Sequence, residues 1–122
     1  MKRILAVITL IFMLAVPSFA LSNKEYGRLM GNEAFARADR NLNRVYMHLK
    51  KNVSRAVWRV LSDEQKEWID WGRDEDAQSY IDKGYSRTRA YTQATNDRAD
   101  YLPRRARAIA KEIERRARPG RR

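Results

Sequence analysis

Residues 65–77 read QKEWIDWGRDEDA and gather two tryptophans, one glycine, one arginine and five carboxylates. Glycoside hydrolysis needs two carboxyl groups about 5–9 Å apart, and Glu67 and Asp70 are close enough in sequence to suggest such a pair. An acid/base pair also needs surroundings that raise a pKa and exclude water. On a helical wheel at about 100° per residue, Gln65, Trp68, Ile69, Gly72 and Tyr80 share one face, expected to meet the core. Glu67, Asp70 and Asp74 fall opposite, as a solvated stripe, with Trp71 on the flank. The segment therefore reads as a contact surface (Glu67, Asp70, Trp71, Asp74) rather than a catalytic pair. Arg73 and Asp76 are spaced to pair across a helical turn. Gly72 on the inner face costs about 1 kcal/mol of helix propensity relative to Ala. The expected return is close approach of a bulky neighbour, such as an aromatic side chain of the first helix.

Nothing else in the chain supplies chemistry. His48 is the only histidine and stands between Met47 and Leu49 with no nucleophile motif nearby. Cysteine is absent, which removes thiol catalysis, disulfides and Cys-based metal sites. No spacing of metal ligands occurs, so neither catalytic residue, cofactor nor metal is expected.

The elements that must position this segment begin after the first twenty residues. Lys2 and Arg3 form a basic start, Ile4–Val16 is an unbroken apolar run, Pro17 breaks it, and Ser18-Phe19-Ala20 offers small residues for cleavage. This is the pattern of a secretory signal peptide over 1–20, with cleavage after Ala20 and an exported, periplasmic or secreted product. The run is too short to span about 30 Å of hydrocarbon.

Without Lys2 and Arg3 the chain carries 24 basic residues against 15 acidic ones, a net charge of +9. The charge is segmented: nine basic and three acidic side chains over 24–61, two and eight over 62–82, thirteen and four over 83–122. Export makes nucleic acid an unlikely partner, and leaves anionic lipid, envelope polymers and other exported proteins.

Residues 21–102 read as an all-α domain, a small bundle of three to four helices. A first helix is expected from Lys24 to Lys51, its stripe including Leu29, Ala38, Leu42, Val45, Tyr46 and Leu49. Ser54 could cap the next segment, and Ser62 to Gln65 fits a capping box with Ser62 as N-cap. Whether 54–61 and 62–82 form one bent helix or two stays open. Gly84 reads as a helix stop and Ser86 as the cap of a third helix. Pro103 either kinks that helix or opens a fourth. From 103 to 122 the chain reads as a basic amphipathic helix with a disordered end at Pro119–Arg122.

Leu42, Asn43 and Tyr46, followed by Gln65, Trp68 and Ile69 and then Arg73-Asp74, resemble the motifs of the LprI-like lysozyme-inhibitor family. Arg98 and Leu102 match its later helix, and the resemblance spans roughly Asn32–Leu102. It implies a small exported helical domain whose partner is a lysozyme or another exported protein. Many members carry cysteines where this chain has Ala77 and the region of Ala94-Thr95. The Arg-Asp pair also comes one residue late, behind Gly72, and the arginine-rich extension past Leu102 lies outside the family pattern. The same residues have a packing account: Leu42, Tyr46, Trp68 and Ile69 lie on apolar stripes, and Asn43 and Gln65 could cross-link helices by hydrogen bonds.

Two functions from different classes follow. One is a protein-binding module of the lysozyme-inhibitor type, using the carboxylate stripe beside Trp71 against a basic enzyme. The other is an envelope-surface binder, in which Arg104, Arg105, Arg107, Lys111, Arg115 and Arg116 meet anionic lipid or polyanion around a thin apolar strip.

Overall fold

The computed structural model describes residues 21–118, so the signal peptide and cleavage expected over 1–20 and the disordered end expected at Pro119–Arg122 lie outside the described residues. The elements are α1 (Asn23–Met30), α2 (Glu33–Asn52), α3 (Arg55–Glu67), a π-helical turn (Trp68–Gly72), α4 (Arg73–Asp82) and α5 (Arg87–Arg116). The chain is all-α, a small helical bundle with no strand among the described residues.

Local chemistry sets each boundary. Ser22 and Glu25 form a reciprocal capping box on α1. The Asn32 side chain accepts the Phe35 N–H and starts α2, so the helix expected over 24–51 is broken at Gly31-Asn32. Ser54 and Ser86 cap α3 and α5 by accepting the N–H groups of Val57 and Arg89, as expected. Gly84 ends α4 at φ 103°, with Tyr85 N–H bonded to the Tyr80 carbonyl and Gly84 N–H to that of Ile81. That is a Schellman stop, in which glycine takes the left-handed position without steric cost. Ser62 is not a cap: it lies inside α3 and its hydroxyl donates to the Arg59 carbonyl at 3.2 Å. Pro103 sits inside α5 and opens no new helix.

Residues 55–82 run on as one helix through the π-helical turn, where Arg73 N–H reaches back five residues to the Trp68 carbonyl. Such a turn holds one more residue than an α-turn, so everything after it is rotated by about 100° from a regular wheel. Two residues depart from the expected faces, and the rotation accounts for the one that follows the turn, Asp74. Asp74 is buried at 8% exposure instead of lying on the solvent stripe, beside buried Arg73 and Ala77. Ile69, within the turn, is 46% exposed instead of inward. A Cβ on Gly72 would stand 2.9 Å from Trp68 Cδ1, so the bulky neighbour is the indole of the same helix and not an aromatic of the first.

α5 is the spine, and α2, α3 and α4 all pack on it. Two apolar clusters lie along it. One joins Leu42 and Leu49 of α2, Val57 and Leu61 of α3, and Trp68 to Ala99, Leu102, Ala106 and Ile109 of α5. The other joins Leu29, Phe35 and Ala77 to Ala90, Tyr91 and Ala94. Ala77 and Ala94, where the resemblance places cysteines, thus belong to the same apolar cluster.

Candidate functional site

Trp68 is the fixed point of the π-turn. It is buried, its Nε1–H donates to Asp76 Oδ2 at 2.9 Å, and Asp76 is thereby taken from the pairing expected with Arg73. The guanidinium groups of Arg73 and Arg98 lie 5.6 and 5.3 Å from its ring centre. Arg98 Nε–H donates to Gln65 Oε1 at 2.8 Å, so the buried amide of Gln65 does link α3 to α5. Burial draws the Arg98 guanidinium below its usual pKa.

With the Trp68 indole held in the core, the turn leaves Ile69, Asp70 and Trp71 exposed, Trp71 at 50%. Glu67 and Asp70 are exposed beside it. Neither carboxylate has the enclosed surroundings that an acid/base pair requires.

Asp74 belongs to a different environment. It accepts a 2.5 Å hydrogen bond from the Tyr91 hydroxyl, and its second oxygen, Oδ2, is buried without a hydrogen-bond partner. Burial pushes its carboxyl above the ordinary value, although the Tyr91 bond and the charges of Arg73 and Arg87 pull the other way. The Tyr91 phenol is raised by burial and by the neighbouring carboxylate. Beside them, the Tyr26 hydroxyl donates to Asp39 at 2.7 Å, and burial followed by that bond pushes its pKa to about 12. Arg73 lies 5.8 Å from the Tyr26 ring, with its Nε unpartnered. This polar seam ties α1, α2, α4 and α5 together. Its members come from four elements and share no local spacing, so only the Arg73-Asp74 pair carries a signal in one dimension.

The motif residues divide between core and surface. Leu42 and Trp68 are buried, and Tyr46 packs on Trp58 with ring centres 4.7 Å apart and the planes tilted by 43°. Asn43 is exposed and reaches only Asp39 of its own helix, at 3.5 Å, so it links no helices. His48 is exposed beside Asn52.

The arginine-rich end is less available than its composition implies. Arg105 makes a two-point ion pair with Glu64 of α3, at 2.9 and 2.5 Å. Arg115 and Arg116 bond Glu112 at 2.6 and 2.7 Å, and Arg118 bonds Glu114. Among the described residues Arg104, Arg107 and Lys111 make no ion pair. The apolar strip does not face outward, because Ala106 and Ile109 are buried against α2 and α3. No group of His, Cys, Asp or Glu among the described residues could hold a metal ion, and no described helix is long and apolar enough to cross a membrane.

Comparison with curated proteins and with solved structures gives no match. A family model described as lysozyme inhibitor LprI matches residues 23–112. The match begins at α1, ahead of Asn32, and runs past Leu102 into the arginine-rich part of α5, which agrees with the burial of Ala106 and Ile109 in the common core. With most of its length matched, the chain belongs to the LprI lysozyme-inhibitor family.

Proposed function

We propose that this chain is an exported, non-enzymatic protein-binding module that inhibits a lysozyme. The observation that carries the reading is the π-turn, which exposes Trp71 and Ile69 beside the carboxylates of Glu67 and Asp70. Tryptophan is among the residues that dominate binding energy at interfaces, and π-turns are frequent at functional sites. The acidic side chains give the surface a sign opposite to that of a basic enzyme. Asp74, part of the contact surface read from the sequence, supports it from within the fold and makes no part of its exposed face.

The test is a cell-wall lysis assay with several lysozymes at low salt, using residues 21–122. Micromolar inhibition is expected, and Trp71→Ala should weaken it by about 2 kcal/mol or more while leaving stability within about 0.5 kcal/mol. Unhindered lysis by every lysozyme at that concentration would end the reading.

The alternative, binding of anionic lipid or polyanion through α5, draws support from Arg104, Arg107 and Lys111. Their contribution is electrostatic alone, since the strip that would insert is in the core. Charge reversal at these three residues is the appropriate test, with vesicle binding as the readout. Removal of 103–122 would also take away Ala106 and Ile109.

A further inference from the structure

A groove of about 500 Å³ opens between α1, α4 and α5. Glu25, Asp74, Glu75 and Asp82 stand around it, with Arg87 as its one basic side chain and Tyr91 on its wall. A chain rich in arginine thus keeps a concave surface that is strongly acidic. The cluster is not closed on itself. Asp74 is more than nine-tenths buried, lines the groove, and has one oxygen, Oδ2, with no donor. Its neighbour Arg73 does not supply one, since Arg73 Nε is itself unpartnered.

Asp74 Oδ2 is itself sealed from solvent, so an incoming group meets the exposed carboxylates of Glu75 and Asp82, and the group that suits them brings several N–H donors and a positive charge. A metal ion does not fit, because no set of ligands converges among the described residues. A guanidinium does: its planar fork matches carboxylates in two-point bonds and it stacks on aromatic faces. Arg87 already shows the second mode on this wall. Its guanidinium lies 5.1 Å from the Tyr91 ring centre and pairs with Glu25 at 3.1 Å. Asp82 accepts only an amide N–H of Gln78, at 2.9 Å, and Glu75 makes no ion pair among the described residues.

We infer that this groove is a subsite for a basic side chain of the partner protein, with arginine preferred to lysine. The inference rests on the protein-binding reading above and adds a second contact to it. Glu75 follows Trp71 by four residues, so the groove mouth and the exposed indole lie on neighbouring turns of one helix. The subsite also accounts for how residues 21–122, with a net charge of +9, can receive a cationic partner: attraction is local, in a concavity that focuses the field of its carboxylates.

The test uses ¹⁵N-labelled residues 21–122 titrated with the blocked tripeptides Gly-Arg-Gly, Gly-Lys-Gly and Gly-Gln-Gly. Saturable shifts at the amides of α4 and the start of α5 are expected with the arginine peptide, weaker ones with lysine, and none with glutamine. Glu75→Gln with Asp82→Asn, both at exposed positions, should lower arginine-peptide affinity by about tenfold, with the thermal midpoint as the check on folding. Equal responses to the arginine and glutamine peptides, or unchanged affinity in the folded double variant, would overturn the subsite. Lysozyme inhibition is measured on the same proteins. Arginine-peptide binding without inhibition of any lysozyme retains the subsite and rejects the lysozyme reading. Inhibition without arginine-peptide binding does the reverse.

Discussion

Asp74 shows how one side chain can be set by its surroundings against its own chemistry. A carboxylate prefers water, yet here burial outweighs the hydrogen bond from Tyr91 and the attraction of Arg73 and Arg87, with Glu25 adding repulsion. Its folded pKa therefore lies above the unfolded value of about 3.9. Between those two values the folded state binds more protons, so the contribution to stability is fullest below the unfolded pKa and falls as pH rises through the folded one. Asp74→Asn carries no charge at any pH and keeps an oxygen to accept from Tyr91. The stability of the variant relative to wild type should thus improve between about pH 3 and pH 7. Urea midpoints at the two pH values decide it; a relative gain by wild type at the higher pH would mean that the Arg73 and Arg87 charges outweigh burial.

The element that governs this surface is the helix from Arg55 to Asp82 with its π-turn. Leu61 and Gln65 before the turn, Trp68 at its start, and Arg73 and Ala77 after it are all buried because one surplus residue is taken up between them. Deleting Gly72 should therefore leave both halves in phase on a regular α-helix. We expect the deletion to fold, with a change in stability within about 1 kcal/mol. Deleting Glu75 instead, within regular α4, would turn Ala77 about 100° out of the core and should abolish cooperative unfolding. If both deletions unfold the chain, the turn is not the seat of the surplus residue. Much of the architecture was legible from local rules: Ser54, Ser86 and Gly84 mark helix ends by side-chain or backbone chemistry that needs no partner. The π-turn was not, because a hydrogen bond reaching back five residues leaves no composition of its own, and a uniform wheel then misplaces Asp74. The family spacing held the only hint, in the lateness of the Arg73-Asp74 pair. The seam of Tyr26, Asp39, Asp74 and Tyr91 depends on tertiary approach of four elements and has no one-dimensional signature.

At the scale of the molecule, both apolar clusters are completed by the same element. Leu102 is fully buried in one and Ala90 and Ala94 in the other, and all belong to the thirty-residue α5. Without α5, the remaining helices bury too little apolar surface to offset the entropy of ordering them. Residues 21–86 alone should show no cooperative thermal transition by circular dichroism, and adding α5 as a separate peptide should restore one. A stable, cooperatively melting 21–86 fragment would refute this.

Because α5 follows every helix it packs on, neither cluster can close before residues 87–116 have joined the chain. The usual order, in which early segments settle before later ones arrive, is unavailable to this topology. One late helix thus acts as a common keystone, and the two clusters share a single moment of closure.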